Sequence, residues 1–153
     1  MATRSSIGYL KADGTVTAIY SHWDGYPAGV GATLVEHYQA AYKIGKLIHM
    51  GDVSSLGAEI GEKQDFNDRS TQRDEWTLFY GRDRGETGVD CRDYASIKDW
   101  VEQGGQEYNY LWTGKQWIVN DHEATDSIGN YVFDDLEMVV HVEVDRLKKL
   151  GYL

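Results

Sequence analysis

The densest run of chemistry-bearing side chains is Ser21-His22-Trp23-Asp24-Gly25-Tyr26-Pro27-Ala28-Gly29-Val30-Gly31. It holds an imidazole, an indole, a carboxylate and a phenol beside three glycines and the only proline of the chain. Glycines let a backbone come close to a ligand, and the N–H groups at a helix start can hold an anion. His22 and Asp24 would then contact the ligand, with Trp23 or Tyr26 stacked on a ring. The same residues also suit a purely structural turn. Asp24-Gly25 bends the chain, Tyr26-Pro27 sets its direction, and the two aromatic rings fill space beneath. The glycine spacing fits neither a dinucleotide-binding nor a P-loop pattern. His22 with Asp24 makes a conceivable acid–base pair, but no third group with a defined role accompanies it, so no catalytic residue is assigned.

A second cluster, Arg82-Asp83-Arg84-Gly85-Glu86, follows an aromatic stretch. Arg82 and Arg84 could grip a phosphate or carboxylate through paired N–H donors. The plainer alternative is a solvated turn whose charges pair with one another. Metal chemistry has little support. The five histidines are scattered without the spacing of a zinc helix, and His122 beside Asp121 and Asp126 reads better as a surface loop. Neither a metal nor a cofactor is expected. Cys91 is the only cysteine, so it can form no internal disulfide.

Charge is the third feature. The chain carries −10 overall. Up to Met50 there are three acids and four bases, and beyond it 22 acids and 11 bases. Such a field repels nucleic acid and favours basic partners. The residues expected to meet one are Asp121, Glu123, Asp126, Asp134, Asp135, Glu137, Glu143 and Asp145. The alternative is that the acidity serves only solubility.

The elements that must position these residues are legible from periodicity. The length of 153 residues fits one domain, 1–153, large enough to bury a core without a disulfide or metal. Residues 6–21 alternate around Asp13-Gly14 and read as a β-hairpin, with Val16, Ala18 and Tyr20 on one face. Helices are expected over 32–38 and 40–50, the second closed by Gly51. Residues 52–75 read as a polar, flexible loop with a short helical turn at 54–57, and 76–80 as a buried strand. A helix capped by Asp93 runs to Gln103. Tyr108, Tyr110 and Trp112 alternate into a second hairpin ending at Val119, and a last helix spans 134–150. The expected fold is α+β: an antiparallel or mixed sheet of about five strands, with helices packed on one face.

The motif at 22–31, His-Trp-Asp-Gly-Tyr-Pro-x-Gly-Val-Gly, resembles a small protein family found widely in bacteriophage genomes. The resemblance extends to Gly51-Asp52-Val53-Ser54-Ser55-Leu56-Gly57, to residues 80–86 and to a hairpin like 108–119. It covers most of the chain to about Asp90 and leaves the acidic stretch after Asp121 unmatched. It implies a phage origin and little chemistry. Joined to the charge, it leads to the expectation of an acidic inhibitor or host-modulating protein, with anti-defence action among its possible roles. Such a protein would bind a host protein at a basic, nucleic-acid-binding surface. The alternative is a small-ligand or nucleotide-binding domain built on His22, Trp23, Asp24, Tyr26, Arg82 and Arg84. Residues 1–6 have no apolar leader run and no stretch suits a bilayer, so host cytoplasm is the expected compartment, without membrane or direct nucleic-acid contact.

Overall fold

The computed structural model describes residues 2–153 and is built on a mixed sheet of eight strands. β1 (Ser5–Leu10) and β2 (Val16–Ser21) form the expected hairpin, with Gly14 at φ +88° in its tip. A π-helical turn (Pro27–Gly31) runs into α1 (Ala32–His37), and α2 (Ala41–His49) follows. Next come β3 (Val53–Ser55), β4 (Leu78–Phe79), α3 (Tyr80–Arg84), β5 (Arg92–Tyr94) and α4 (Ile97–Gly104). The second hairpin is β6 (Tyr108–Trp112) and β7 (Trp117–Asp121), and the chain closes with β8 (Asp134–Asp135) and α5 (Leu136–Lys149).

The strand order is β4-β3-β2-β1-β6-β7-β8, with β5 also on β2. Two joins are parallel, β1 with β6 and β2 with β3, and the others are antiparallel. Eight strands thus replace the expected five. The additional ones, β3, β5 and β8, are only two or three residues long and carry polar residues such as Ser54, Asp93 and Asp134. No alternating pattern can develop over so short a span.

Helices cover both faces of the sheet, not one. Ile7, Ile19, Tyr110, Trp112 and Val119 face Leu34 of α1, Ile44 and Leu47 of α2 and Leu136 of α5. Val16, Ala18 and Leu111 face Trp100 and Val101 of α4. The central strands are therefore apolar on both sides. Gly8 marks the α4 side: a Cβ there would lie 3.2 Å from the Trp100 ring, whose Nε1 donates to Ser6 Oγ at 2.8 Å.

Three local expectations are also corrected. Residues 54–57 hold the end of β3 instead of a helical turn, because the N–H groups of His22 and Trp23 extend the pairing by donating to Val53 O and Ser54 O. Asp93 lies in β5, and Ser96 caps α4 by accepting the Asp99 N–H at 3.1 Å. Asp134 and Asp135 form β8 against β7, so α5 begins at Leu136.

The outer edge of β2 is shared. Val16 to Ala18 pair with β5 and Ser21 pairs with β3. Between them the Tyr20 N–H donates to Asp52 Oδ1 at 2.9 Å, and Arg92 holds both oxygens of that carboxylate at 3.2 and 2.8 Å. One side chain thereby fills a break in the hydrogen-bond ladder, where an unpaired buried N–H would be costly.

Candidate functional site

The 22–31 turn starts where β2 ends, and its glycines answer to packing. Asp24 takes a left-handed backbone (φ 56°), which Asp tolerates better than most residues. Its carbonyl accepts the Val30 N–H at 2.8 Å, closing the loop. Gly25 donates to Thr3 O at 2.8 Å, its own carbonyl accepts the Tyr110 hydroxyl at 2.6 Å, and a Cβ there would lie 2.7 Å from Thr3 O. A Cβ on Gly29 would fall onto the Asp24 carbonyl oxygen. Gly31 faces Leu136 and Val140 of α5. The turn therefore docks the first helical segment onto β1, β6 and α5, and Pro27 sets the first residue of the π turn.

Of the four side chains singled out there, Tyr26 reaches Asp24 Oδ1 at 3.4 Å and is 37% exposed. Burial, then the Asp24 charge, raises its phenol pKa. His22 Nδ1 is 2.7 Å from the Tyr20 hydroxyl, and the His22 ring meets Trp23 edge-on at 4.7 Å. Trp23 is 46% exposed although its backbone is held to β3. It is the only tryptophan among the exposed large hydrophobics.

The two arginines part company. Arg82 is enclosed in the fold: it pairs with Asp83, donates to Ile60 O, Gly61 O and Thr77 O, and lies over the Phe79 ring. Asp83 in turn accepts the N–H groups of Phe79 at 2.7 Å and Gln64 at 2.8 Å. The hydrogen bonds of that pair tie residues 60–64 and 77–79 to α3 and use every N–H of the Arg82 guanidinium, so Arg82 has none to offer a ligand. Arg84 pairs with Glu86 and stacks on Phe66 and Tyr80 at 4.5 and 4.8 Å. The cavity that Trp23 lines contains neither arginine.

What does meet Trp23 and Asp24 comes from the stretch read as a polar loop. Phe66, Arg69 and Gln72, with Ser55 and Leu78, complete a cavity of about 420 Å³. Asp68 makes this possible by capping a short 3-10 turn (Arg69–Thr71), accepting the Ser70 N–H at 3.1 Å. The Asp-x-Ser spacing is a local signal for ordered structure there, and Asp65 repeats it by accepting the Asn67 N–H at 3.0 Å.

Three of the acidic residues meet beside α5, and Glu123 lies apart from them, next to Gly105 at the end of α4. Asp134, Asp135 and Glu143 line a groove of about 510 Å³ together with Tyr108, Met138, Val139, Val142 and Arg146. Asp121 stands close enough for its charge to raise the pKa of Tyr108 and Glu143, although burial is the larger cause for both. Asp126 serves its own loop by accepting the N–H groups of Ile128 and Asn130, both at 3.0 Å, which lowers its pKa. Asp145 pairs with Lys149 at 3.0 Å. Glu123, at φ 57°, and Glu137, in the first turn of α5, are exposed and form no ion pair among the described residues. Tyr108 reads in the sequence as one more alternating strand residue, and Met138 and Val142 lie off the apolar stripe of Leu136, Val139 and Val140, so no pattern marks the three as one surface.

Among the described residues, no three His, Cys, Asp or Glu side chains stand together as a metal site, and no helix is long and apolar enough to cross a membrane. No protein-family model matches the chain, and neither a curated protein nor a solved structure matches it.

Proposed function

We propose that this is a binding protein that docks its acidic end, the groove between the β6–β8 edge and α5, on a basic surface of another protein. The observation that carries the reading is the make-up of residues 121–145: eight carboxylates and not one Lys or Arg. Three of them, Asp134, Asp135 and Glu143, line the groove with exposed apolar side chains, Met138 at 62% and Val142 at 61%. An apolar centre with a charged rim is how protein interfaces are built, and a rim where three carboxylates outnumber the one Arg146 steers a partner of the opposite sign. The phage resemblance extends the proposal to an inhibitor or host-modulating protein, anti-defence action included. In that role the carboxylates would occupy a host protein's nucleic-acid-binding surface in the host cytoplasm by imitating phosphate charge.

The test is competitive capture from a bacterial host lysate, using the full chain and a triple variant, Asp134→Asn, Asp135→Asn and Glu143→Gln. The wild-type chain should retain a basic protein at 50 mM salt and release it at 500 mM or on addition of duplex DNA or RNA. The triple variant should lose it while keeping its thermal midpoint. Capture of nothing at low salt, or capture indifferent to the three substitutions, overturns the reading.

A further inference from the structure

Away from the acidic end, the cavity of about 420 Å³ beside the 22–31 turn has the size of a small-molecule site. Its walls combine three chemistries. Trp23, Phe66 and Leu78 supply apolar surface. Arg69 supplies an exposed guanidinium with no ion-pair partner among the described residues, and Asp24 supplies an exposed carboxylate. The Gln72 amide fills a fourth position, its Nε2 already donating to Asp65 O and Phe66 O at 2.9 and 3.1 Å, which leaves its carbonyl oxygen as an acceptor.

These groups are held in place. Trp23 is anchored through its N–H to Ser54 O at 3.0 Å and braced by His22, itself bonded to Tyr20. Phe66 is backed by the Arg84 guanidinium at 4.5 Å and by Tyr80 at 5.6 Å. Asp24 occupies a left-handed position where glycine would be less strained, so its carboxylate is retained at a conformational cost. An aromatic ring kept nearly half exposed on a fixed backbone loses little freedom when a second ring settles on it.

We infer that this cavity binds a mononucleotide: a planar heteroaromatic ring against Trp23 and Phe66, an exocyclic amine or ribose hydroxyl donating to Asp24, and a phosphate accepting from Arg69. The ring supplies stacking and the phosphate a charge-assisted hydrogen bond, and a chain of net charge −10 meets a single small anion at a local cation without facing the repulsion of a polyanion. The binding set keeps Trp23 and Asp24 from the sequence motif and replaces Arg82 and Arg84 with Arg69.

The experiment is titration of the full chain with AMP, GMP, CMP and UMP, each up to 1 mM, followed by tryptophan fluorescence and by amide NMR shifts. Adenosine, inorganic phosphate and free phenylalanine run as parallel arms. At least one nucleotide should quench the exposed tryptophan and shift amides around residues 23–24 and 66–72. Trp23→Ala should weaken it at least tenfold. Arg69→Gln should weaken the nucleotide about tenfold but leave the weaker binding of its nucleoside unchanged. Circular dichroism checks that both variants keep the fold. No response to any nucleotide at 1 mM overturns the inference. So do shifts that map elsewhere, a response to phenylalanine alone, or equal loss of nucleotide and nucleoside in Arg69→Gln. The acidic-end proposal is untouched by any of these results, since its variants lie in β8 and α5.

Discussion

The turn at 22–31 and the acidic end at 121–145 are both rich in polar and charged side chains, and they use them in opposite ways. In the turn nearly every unusual residue meets another part of the chain. Gly25 and Gly29 lie against carbonyl oxygens, Asp24 closes the loop through its carbonyl, and Tyr110 reaches across from β6 to the Gly25 carbonyl. Trp23, Tyr26 and the Asp24 carboxylate are left facing outward. At the acidic end a turn with His122 and Glu123 left-handed leads through β8 into α5, and the side chains find only near neighbours as partners: Asp126 its own loop, Asp145 a lysine one turn on, Asp121 a neighbouring histidine. An unusual motif is thus mainly an architectural joint, and an unremarkable helix carries the unsatisfied surface. Density of rare residue types signals constraint, whereas absence of internal partners signals availability.

The largest effect that would break this contrast lies in the joint. Gly29→Ala forces a methyl onto the Asp24 carbonyl and should cost about 3 kcal/mol of stability by denaturant unfolding. A loss below about 0.5 kcal/mol would mean that the turn yields and is no joint at all.

A pH dependence of at least comparable size comes with it. Burial pushes the Tyr38 phenol up to about 12, and it raises Tyr110 well above its ordinary value too. Below pH 10 folded and unfolded chains both hold these protons, so no stability changes there. Above pH 10 the unfolded chain releases them and the folded chain keeps them, so stability falls as pH rises. The slope is about 1.4 kcal/mol per pH unit for each tyrosine, and for Tyr38 it levels off near pH 12. Urea midpoints across pH 9–12 measure it, and Tyr38→Phe should flatten the curve by one proton's worth.

Tyr110→Phe isolates a single contact of the joint. Losing the hydroxyl that donates to Gly25 O at 2.6 Å should cost about 1 kcal/mol in the same unfolding assay at pH 7.

The acidic end gives the smallest effects. Met138→Ala should change stability by less than about 0.5 kcal/mol, since the side chain is 62% exposed. Glu143→Gln should be neutral or slightly stabilising, because burial raises the carboxyl pKa and makes its charge unwelcome in the folded chain. A thermal scan that found either change severely destabilising would show the groove to be core and not surface.

Much of the frame was legible beforehand because it is local. Asp13-Gly14 specifies a tight turn wherever the rest of the chain goes, and Tyr108, Tyr110 and Trp112 alternate by the geometry of a strand. Ile44, Leu47 and Ile48 follow the helical period, and Gly51 at φ +90° ends α2 as its position implied. The candidate site was half legible: Trp23 and Asp24 belong to a conspicuous motif, but Arg69 lies in a polar stretch with no periodicity, and its approach to Trp23 depends on β3 pairing in parallel beside β2.

What the residues alone determined was each element with its own turn, cap or repeat, together with the chemistry on offer: the aromatic rings, the guanidinium groups and the excess of carboxylates beyond Met50. Which of those groups are engaged and which are free was decided only by the tertiary structure. Long-range pairing carries the short strands β3, β5 and β8, closes Arg82 over residues 60–61 and 77, and leaves Arg69 and the α5 groove open. Backbone preference acts over a few residues, but the satisfaction of a buried charge or an orphan N–H depends on partners 20 to 80 positions away in the chain, as Asp52 with Tyr20 and Arg92 and Trp117 with Tyr38 make plain.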